Sequence, residues 1–303
     1  MNPVVLSFAS GDSLYFGAAL LLLVIAVSPF LKRRWALRAR NITSWIALAM
    51  IVTACPPFPW VVGVAFLGSF ALWFIGSNWS GKGRLLVRSQ LVVTSVLALL
   101  LLVLPAIELS HRTMPEIVGE PSDHLVVIGD SISSGIGLRT PAWPLVMQQM
   151  TGVPVKNLAL PGAETIEAQS MVKGITPEDR LVLLEIGGND MLAGLPSGEF
   201  EKALDGLLSK VIAPGRTVVM FELPLFPHKM AYGHIQRRLA AKYGVWLIPK
   251  RFFIDVIGGA NATSDGLHLS ETGTRRMAIL VAQALSSVLK SSTLTGRPPA
   301  SQP

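Results

Sequence analysis

His124-Leu-Val-Val-Ile-Gly-Asp-Ser-Ile-Ser133 is the stretch on which the fold turns. His124 to Ile128 is a short apolar run stopped by a glycine, the pattern of a buried strand. Ser131 then stands on the tight turn leaving that strand, where α/β hydrolytic folds present a nucleophile. Working outward, three more pieces follow in order: residues 157–165 (NLALPGAET), Gly187-Gly188-Asn189-Asp190 and Asp265-Gly266-Leu267-His268. Apolar strand-like runs recur at 124–128, 154–159, 180–186, 216–222 and 245–248. Helical patterns separate them at 141–150, 165–172, 197–212, 228–243 and 271–290. The alternation predicts an α/β domain, a parallel sheet of about five strands with helices on both faces. Ser131, Gly162 and Asn189 each fall just after a predicted strand, at the edge where such sheets bind ligands.

A serine hydroxyl is a poor nucleophile until a neighbouring base takes its proton. His268 is the candidate base, and Asp265 the acid that fixes its tautomer and stabilises the imidazolium. Both are expected on the loop before the last helix, whose start is marked by Ser270 and Thr272. Asp130 and Asp190 read as turn-formers. His111 lies in a linker, His124 starts a strand, and His228 and His234 lie on a helix with basic neighbours, so surface roles are expected. No grouping has metal-ligand spacing, and no metal is expected.

Gly129-Asp-Ser-Ile-Ser-Ser-Gly-Ile-Gly-Leu138, Trp143-Pro144 and Leu184-Glu-Ile-Gly-Gly-Asn-Asp190 together resemble the SGNH/GDSL-type hydrolases. Over about 124–285 the chain is similar to their bacterial thioesterase/lysophospholipase/arylesterase branch. The resemblance implies a three-layer α/β/α, flavodoxin-like domain that hydrolyses fatty acyl esters or thioesters without a cofactor. It implies Ser131, Asp265 and His268 as the catalytic set. It also implies an oxyanion hole made of the backbone N–H groups of Ser131 and Gly162 and the Asn189 side-chain amide. Leu269 departs from the proline that often follows the histidine, and Met191 to Gly198 does not reveal a chain-length preference. Gly11-Asp12-Ser13-Leu14 spells the family motif literally but has no strand-turn-helix setting; it opens an apolar, membrane-length segment, 15–31, as a short polar helix cap would.

The 303 residues have a mean hydropathy of +0.51 and only 15% charged residues, too apolar for an ordinary soluble chain. The excess is segregated: up to Leu109 there are 8 Lys/Arg and 2 Asp/Glu, giving +6 of the net +7. This basicity lies in two clusters, Lys32 to Arg40 and Lys82 to Arg88, each beside an apolar run, as cytoplasmic loops do, and not as a nucleic-acid footprint. The single cysteine, Cys55, sits in an apolar run and reads as packing.

Leu14 to Leu31 and Leu91 to Ile107 are each long enough to span a bilayer. Between Asn41 and Gly81 no charge occurs in 41 positions, about twice a membrane crossing, and Pro56-Pro57-Phe58-Pro59 breaks the run near its middle. Two short spans are therefore expected there, about four in all. With four, both basic loops are cytoplasmic and the catalytic domain faces the periplasm or exterior of a multi-pass bacterial inner-membrane protein. With three, the enzyme is a cytoplasm-facing acyl thioesterase. Charge asymmetry favours four.

The expected organisation is a transmembrane region over 1–109, a linker over 110–123, a hydrolase domain over 124–290 and a disordered tail over 291–303. The expected activity is a membrane-anchored serine esterase on lysophospholipid or another acylated envelope molecule. An O-acyltransferase or deacetylase for envelope glycans is the competing class. The membrane part is small and holds no charged or histidine residue over 41–81 to handle an acyl donor. A non-catalytic module would have lost a triad member, and none is lost.

Overall fold

Leu125-Val-Val-Ile, Leu181-Val-Leu-Leu and Thr217-Val-Val-Met-Phe are continuous rather than alternating apolar runs, which suits strands covered on both faces. In the computed structural model, which describes residues 3–54, 56–79, 84–135, 141–226 and 228–290, all three are buried throughout as the centre of a sheet. The chain begins with five helices, α1 (Pro3–Ser10), α2 (Asp12–Val27), α3 (Arg34–Thr53), α4 (Trp60–Asn78) and α5 (Arg84–Leu109). β1 (Leu125–Gly129), α6 (Ser131–Ser134), α7 (Trp143–Thr151), β2 (Val155–Asn157) and α8 (Thr165–Met171) follow. Then come β3 (Leu181–Glu185), α9 (Gly188–Ala193), α10 (Ser197–Val211) and β4 (Thr217–Phe221). α11 (Met230–Tyr243), β5 (Trp246–Ile248), α12 (Lys250–Ile257) and α13 (Glu271–Ala284) complete the chain. Cys55, residues 136–138 of the quoted motif, part of the second basic cluster and the expected tail lie outside the described residues. Internal contacts divide the chain into two units, residues 2–113 with 225–234, and residues 114–224 with the chain from 235 onward.

In the second unit the five strands are all parallel in the order β2-β1-β3-β4-β5. Strand order reverses at β1, so the switch point where open α/β sheets bind ligands lies between β1 and β3. Register there sets Gly129 beside Glu185. Alternate residues point to opposite faces. Leu125, Val127, Leu183, Val219 and Phe221 join one buried cluster with Trp143 and Met147 of α7, Phe253 and Val256 of α12, and Met277 and Val281 of α13. On the other side α10 and α11 are tied by Arg238–Glu201 at 2.7 Å and Lys242–Asp205 at 2.6 Å.

The stretch read as a linker is moored to the end of this unit. Ile117 is buried in the cluster, and its carbonyl accepts a hydrogen bond from Ser287 Oγ at 2.6 Å. Ser122 pairs in parallel with Leu289, through Ser122 N to the Val288 carbonyl and Lys290 N to the Ser122 carbonyl, both 2.8 Å.

Among the described residues of the helical unit three helices, not the expected four, are long and apolar enough to cross a membrane: Asp12–Phe30, Trp60–Asn78 and Val87–Leu109. The exception is α3, because part of the first basic cluster is helix rather than loop and puts Arg34, Arg38, Arg40 and Asn41 into its first half. The Arg40 guanidinium is buried there, donating to Asn41 Oδ1 (2.8 Å), Ser28 Oγ (3.3 Å), the Ser77 carbonyl (3.2 Å) and Asn78 Oδ1 (2.7 Å). It thereby caps α4, whose last carbonyls lack helical partners. The expected break at Pro56 to Pro59 separates α3 from α4.

α2 and α3 run antiparallel along one another. Gly17 lies so near α3 that a Cβ there would come within 2.8 Å of the Ala47 carbonyl and Ile51 Cγ1, which only glycine permits. α4 and α5 are likewise antiparallel, with Gln90 donating to the Trp73 carbonyl at 3.0 Å. Leu67, Leu72, Leu91, Leu99 and Leu102 remain exposed on this unit, an outer surface suited to lipid rather than water.

Candidate active site

The turn after β1 is shaped by contact. A Cβ on Gly129 would lie 2.8 Å from Ser133 Cβ and Oγ and 3.0 Å from the Glu185 carbonyl, so only glycine lets the strand end this close to β3. Asp130 then caps α6, its Oδ1 accepting from Ile132 N at 2.9 Å, and Ser131 opens that helix, half-buried. Asn157, at the end of β2, donates its amide to the Ser133 carbonyl at 2.8 Å and steadies the turn from the other side.

Gly162 has φ +71° with open space where a Cβ would be, so the left-handed backbone rather than crowding calls for glycine. Asn189 lies in the first turn of α9. Its Nδ2 donates to the Ala163 carbonyl at 3.0 Å and to Asp130 Oδ2 at 3.2 Å. One amide therefore joins the neighbour of Ser131 to the neighbour of Gly162. Asp190, buried, accepts from Thr165 N at 2.9 Å and Thr165 Oγ1 at 3.0 Å, fixing the start of α8 against α9; burial raises its carboxyl above the usual range.

The last loop is a tight hairpin. Thr263 pairs with Leu269, and Ser264 N donates to the His268 carbonyl at 2.9 Å. Leu269 is buried in the core cluster and anchors the loop from below. Asp265 Oδ1 accepts from Leu267 N (2.9 Å) and His268 N (2.7 Å), and its Oδ2 lies 2.6 Å from His268 Nδ1. Gly266 supplies the left-handed residue, φ +89°, that lets the chain curl around the carboxylate. The hydrogen bonds from the His268 ring, the His268 N–H and the Leu267 N–H hold Asp265 well below the usual carboxylate range. A carboxylate at Nδ1 selects the tautomer with Nε2 free to accept a proton. His268 also lies within electrostatic reach of Asp130, the residue preceding Ser131.

Ser13 has a different setting. It is 1% exposed inside α2, and Asp12 beside it pairs with Arg112 and accepts from Ser10 Oγ at 2.9 Å. His124 sits between carboxylates, Asp123 Oδ1 at 2.6 Å and Asp179 Oδ1 at 2.7 Å. Among the described residues no cluster of His, Cys, Asp or Glu is arranged to hold a metal ion.

Sequence reasoning missed Glu185. It is buried at the end of β3, accepts from Ser133 Oγ at 2.8 Å and meets the Asp130 carboxyl. An acid ending an otherwise apolar, doubly covered strand was the available signal.

Residues 127–276 match the GDSL-like lipase/acylhydrolase family. Esterase TesA of Pseudomonas aeruginosa is 28% identical over 159 residues, 48% of this chain and 78% of that protein. Thioesterase 1/protease 1/lysophospholipase L1 of Escherichia coli K12 is 26% identical over 146 residues, 45% of this chain and 69% of that one. A crystal structure of TesA superposes with a TM-score of 0.50 at 26% identity, covering 55% of this chain and 99% of the other.

Proposed function

Because residues 127–276 belong to the GDSL-like lipase/acylhydrolase family and make this chain a serine hydrolase of acyl esters, we propose that Ser131, His268 and Asp265 carry the reaction. Ser131 Oγ attacks the ester carbonyl while its proton passes to His268 Nε2. The backbone N–H groups of Ser131 and Gly162 and the Asn189 amide receive the oxyanion. Collapse breaks the bond to the alcohol, which leaves with the proton from His268, and water then repeats the sequence on the acyl-enzyme. Asp265 stays ionised throughout and stabilises the imidazolium. The observation that carries this reading is the Asn189 amide, bonded both to Ala163 beside Gly162 and to Asp130 beside Ser131.

Asn189→Ala is expected to leave the fold intact and lower kcat by about 10²–10³, with KM little changed, since an oxyanion donor acts mainly in the transition state. Unchanged turnover on a short acyl ester would reduce Asn189 to a loop residue. Substrate class is tested with acyl esters of graded length, lysophospholipid included, with and without a glycan acceptor and with Ser131→Ala as the blank. Lysophospholipid cleavage that needs no acceptor supports the hydrolase reading. Turnover only with acceptor indicates acyl transfer.

The chain is read as membrane-anchored with the catalytic domain outside. The start of α3 lies with the ends of α2 and α4 through Arg40, and the start of α5 lies with the end of α4 through Gln90. The starts of α3 and α5, which carry Arg34 to Arg40 and Arg84 to Arg88, therefore share one end of the helical unit, and Lys and Arg beside spans resist export. Although α3 is too polar to qualify alone, it runs back along α2 and returns the chain to the opposite end. A phosphatase fused at Gln302 is expected to be active, and a fluorescent cytoplasmic reporter at the same site dark. The reverse pair of results would move the enzyme to cytoplasmic acyl esters or thioesters.

A further inference from the structure

A single file of hydrogen bonds runs beneath the turn that carries Ser131, and its direction is fixed from one end. Trp143 Nε1 can only donate, and it does so to Ser133 Oγ at 3.1 Å. Ser133 therefore spends its own proton on Glu185 Oε2, at 2.8 Å. Glu185 also hydrogen-bonds with Asp130, both with its backbone N–H and with its carboxyl. Asp130 already accepts N–H groups at both oxygens, from Ile132 N at Oδ1 (2.9 Å) and Asn189 Nδ2 at Oδ2 (3.2 Å). A hydrogen bond between two carboxyls needs a proton, which the pair must share.

The surroundings agree. Both residues are buried, and among the described residues neither has a Lys or Arg partner. The other titratable groups bearing on the pair are Asp190 from α9, which adds negative charge, and His268 from the loop before α13. Two touching carboxylates in such a place cannot both ionise. Burial, and then the adjacent Asp130, push Glu185 well above the usual carboxyl range.

The Asn189 amide has its two hydrogens on Ala163 and Asp130, so an oxyanion must share or take one of them. The 3.2 Å bond to Asp130 is the longer of the two and the one more readily shared. We propose that Asp130 and Glu185 share one proton and act together as positioning residues for the Asn189 amide, presenting its N–H to the oxyanion only while Glu185 is protonated. This rests on the reading of Asn189 as an oxyanion donor. When Glu185 loses its proton, Asp130 draws the amide harder, and a second negative charge lies next to the developing oxyanion. Both effects oppose the transition state and leave ground-state binding alone.

The test uses the full chain in detergent, a short soluble p-nitrophenyl ester, and kcat and KM followed from neutral to alkaline pH within the range where thermal melts show a folded protein. Wild-type kcat should fall on the alkaline side. Glu185→Gln keeps the carbonyl that accepts from Ser133 and an NH₂ that donates to Asp130, and it cannot ionise. It should keep kcat at neutrality within about threefold and lose the alkaline fall. Asp130→Asn can still cap Ile132 but turns a donor toward Asn189. It should lower kcat by about 10–100-fold with KM within about twofold. A wild-type profile flat to the alkaline limit of folding, an alkaline fall unchanged in Glu185→Gln, or wild-type kcat in Asp130→Asn overturns the proposal. If Asp130→Asn does not fold, the Glu185→Gln profile decides. Hydrolysis that survives Ser131→Ala overturns the catalytic reading itself. Hydrolysis that depends on Ser131 but ignores both other variants overturns only the role of this pair.

Discussion

Ser131→Ala is expected to lower ester hydrolysis by at least about 10⁴-fold while leaving the thermal unfolding of the protein unchanged. Losing the nucleophile of a serine hydrolase removes most of its rate, and what remains comes from binding and oxyanion donors. The fold should tolerate the change, because Ser131 is half-buried at the opening of a four-residue helix whose cap is supplied by Asp130. A fluorophosphonate probe should label wild type and Ser13→Ala, and fail on Ser131→Ala. Ser13 is 1% exposed inside an apolar helix, next to an aspartate paired with arginine, so no route leads from it to an ester. Labelling that persists in Ser131→Ala would move the nucleophile elsewhere.

Asp265→Asn should cost about 10³–10⁴ in kcat, with KM little affected. The Asp265 carboxylate accepts three N–H groups, two from the backbone and one from His268 Nδ1. An asparagine can keep its oxygen on the backbone donors only by turning its NH₂ toward Nδ1. That reverses the imidazole tautomer, so Nε2 carries the proton it should accept. Because those three bonds hold Asp265 well below the usual range, its charge persists as pH falls. Acid loss of activity should then not coincide with titration of this carboxyl. Pairing the variant with His268→Ala should add little to His268→Ala alone, since the acid acts through the base. A kcat within tenfold of wild type would mean that Asp265 only shapes the hairpin.

The central strands were legible because burial on both faces leaves no alternation to obscure a run such as Leu181-Val-Leu-Leu. The hairpin carrying Asp265 and His268 was legible because its chemistry is local, within four consecutive residues. What escaped is either short or non-local. The helices α6 and α9, of 4 and 6 residues, are too brief to show a period, and α12, of 8, hides behind Pro249. The polarity of α3 disguised its length, because Arg40 finds three of its acceptors 12 to 38 positions away along the chain. Glu185 meets Asp130 only because β3 pairs beside β1 with Gly129 level with Glu185, a register set by the whole sheet. Spacing along the chain says nothing about that meeting.

The mooring of residues 117–122 along residues 287–290 has a mechanical consequence. Any pull on the chain from its N-terminal side enters this unit at Met114. It reaches Ile117 and Ser122 before it reaches Leu125 and the strand that leads to Ser131. Those bonds, each worth roughly 0.5–1.5 kcal/mol, and the buried Ile117 side chain act as a strain relief. The pull is carried to residues 287–290, beyond the end of α13 and far along the chain from Ser131, and β1 is spared.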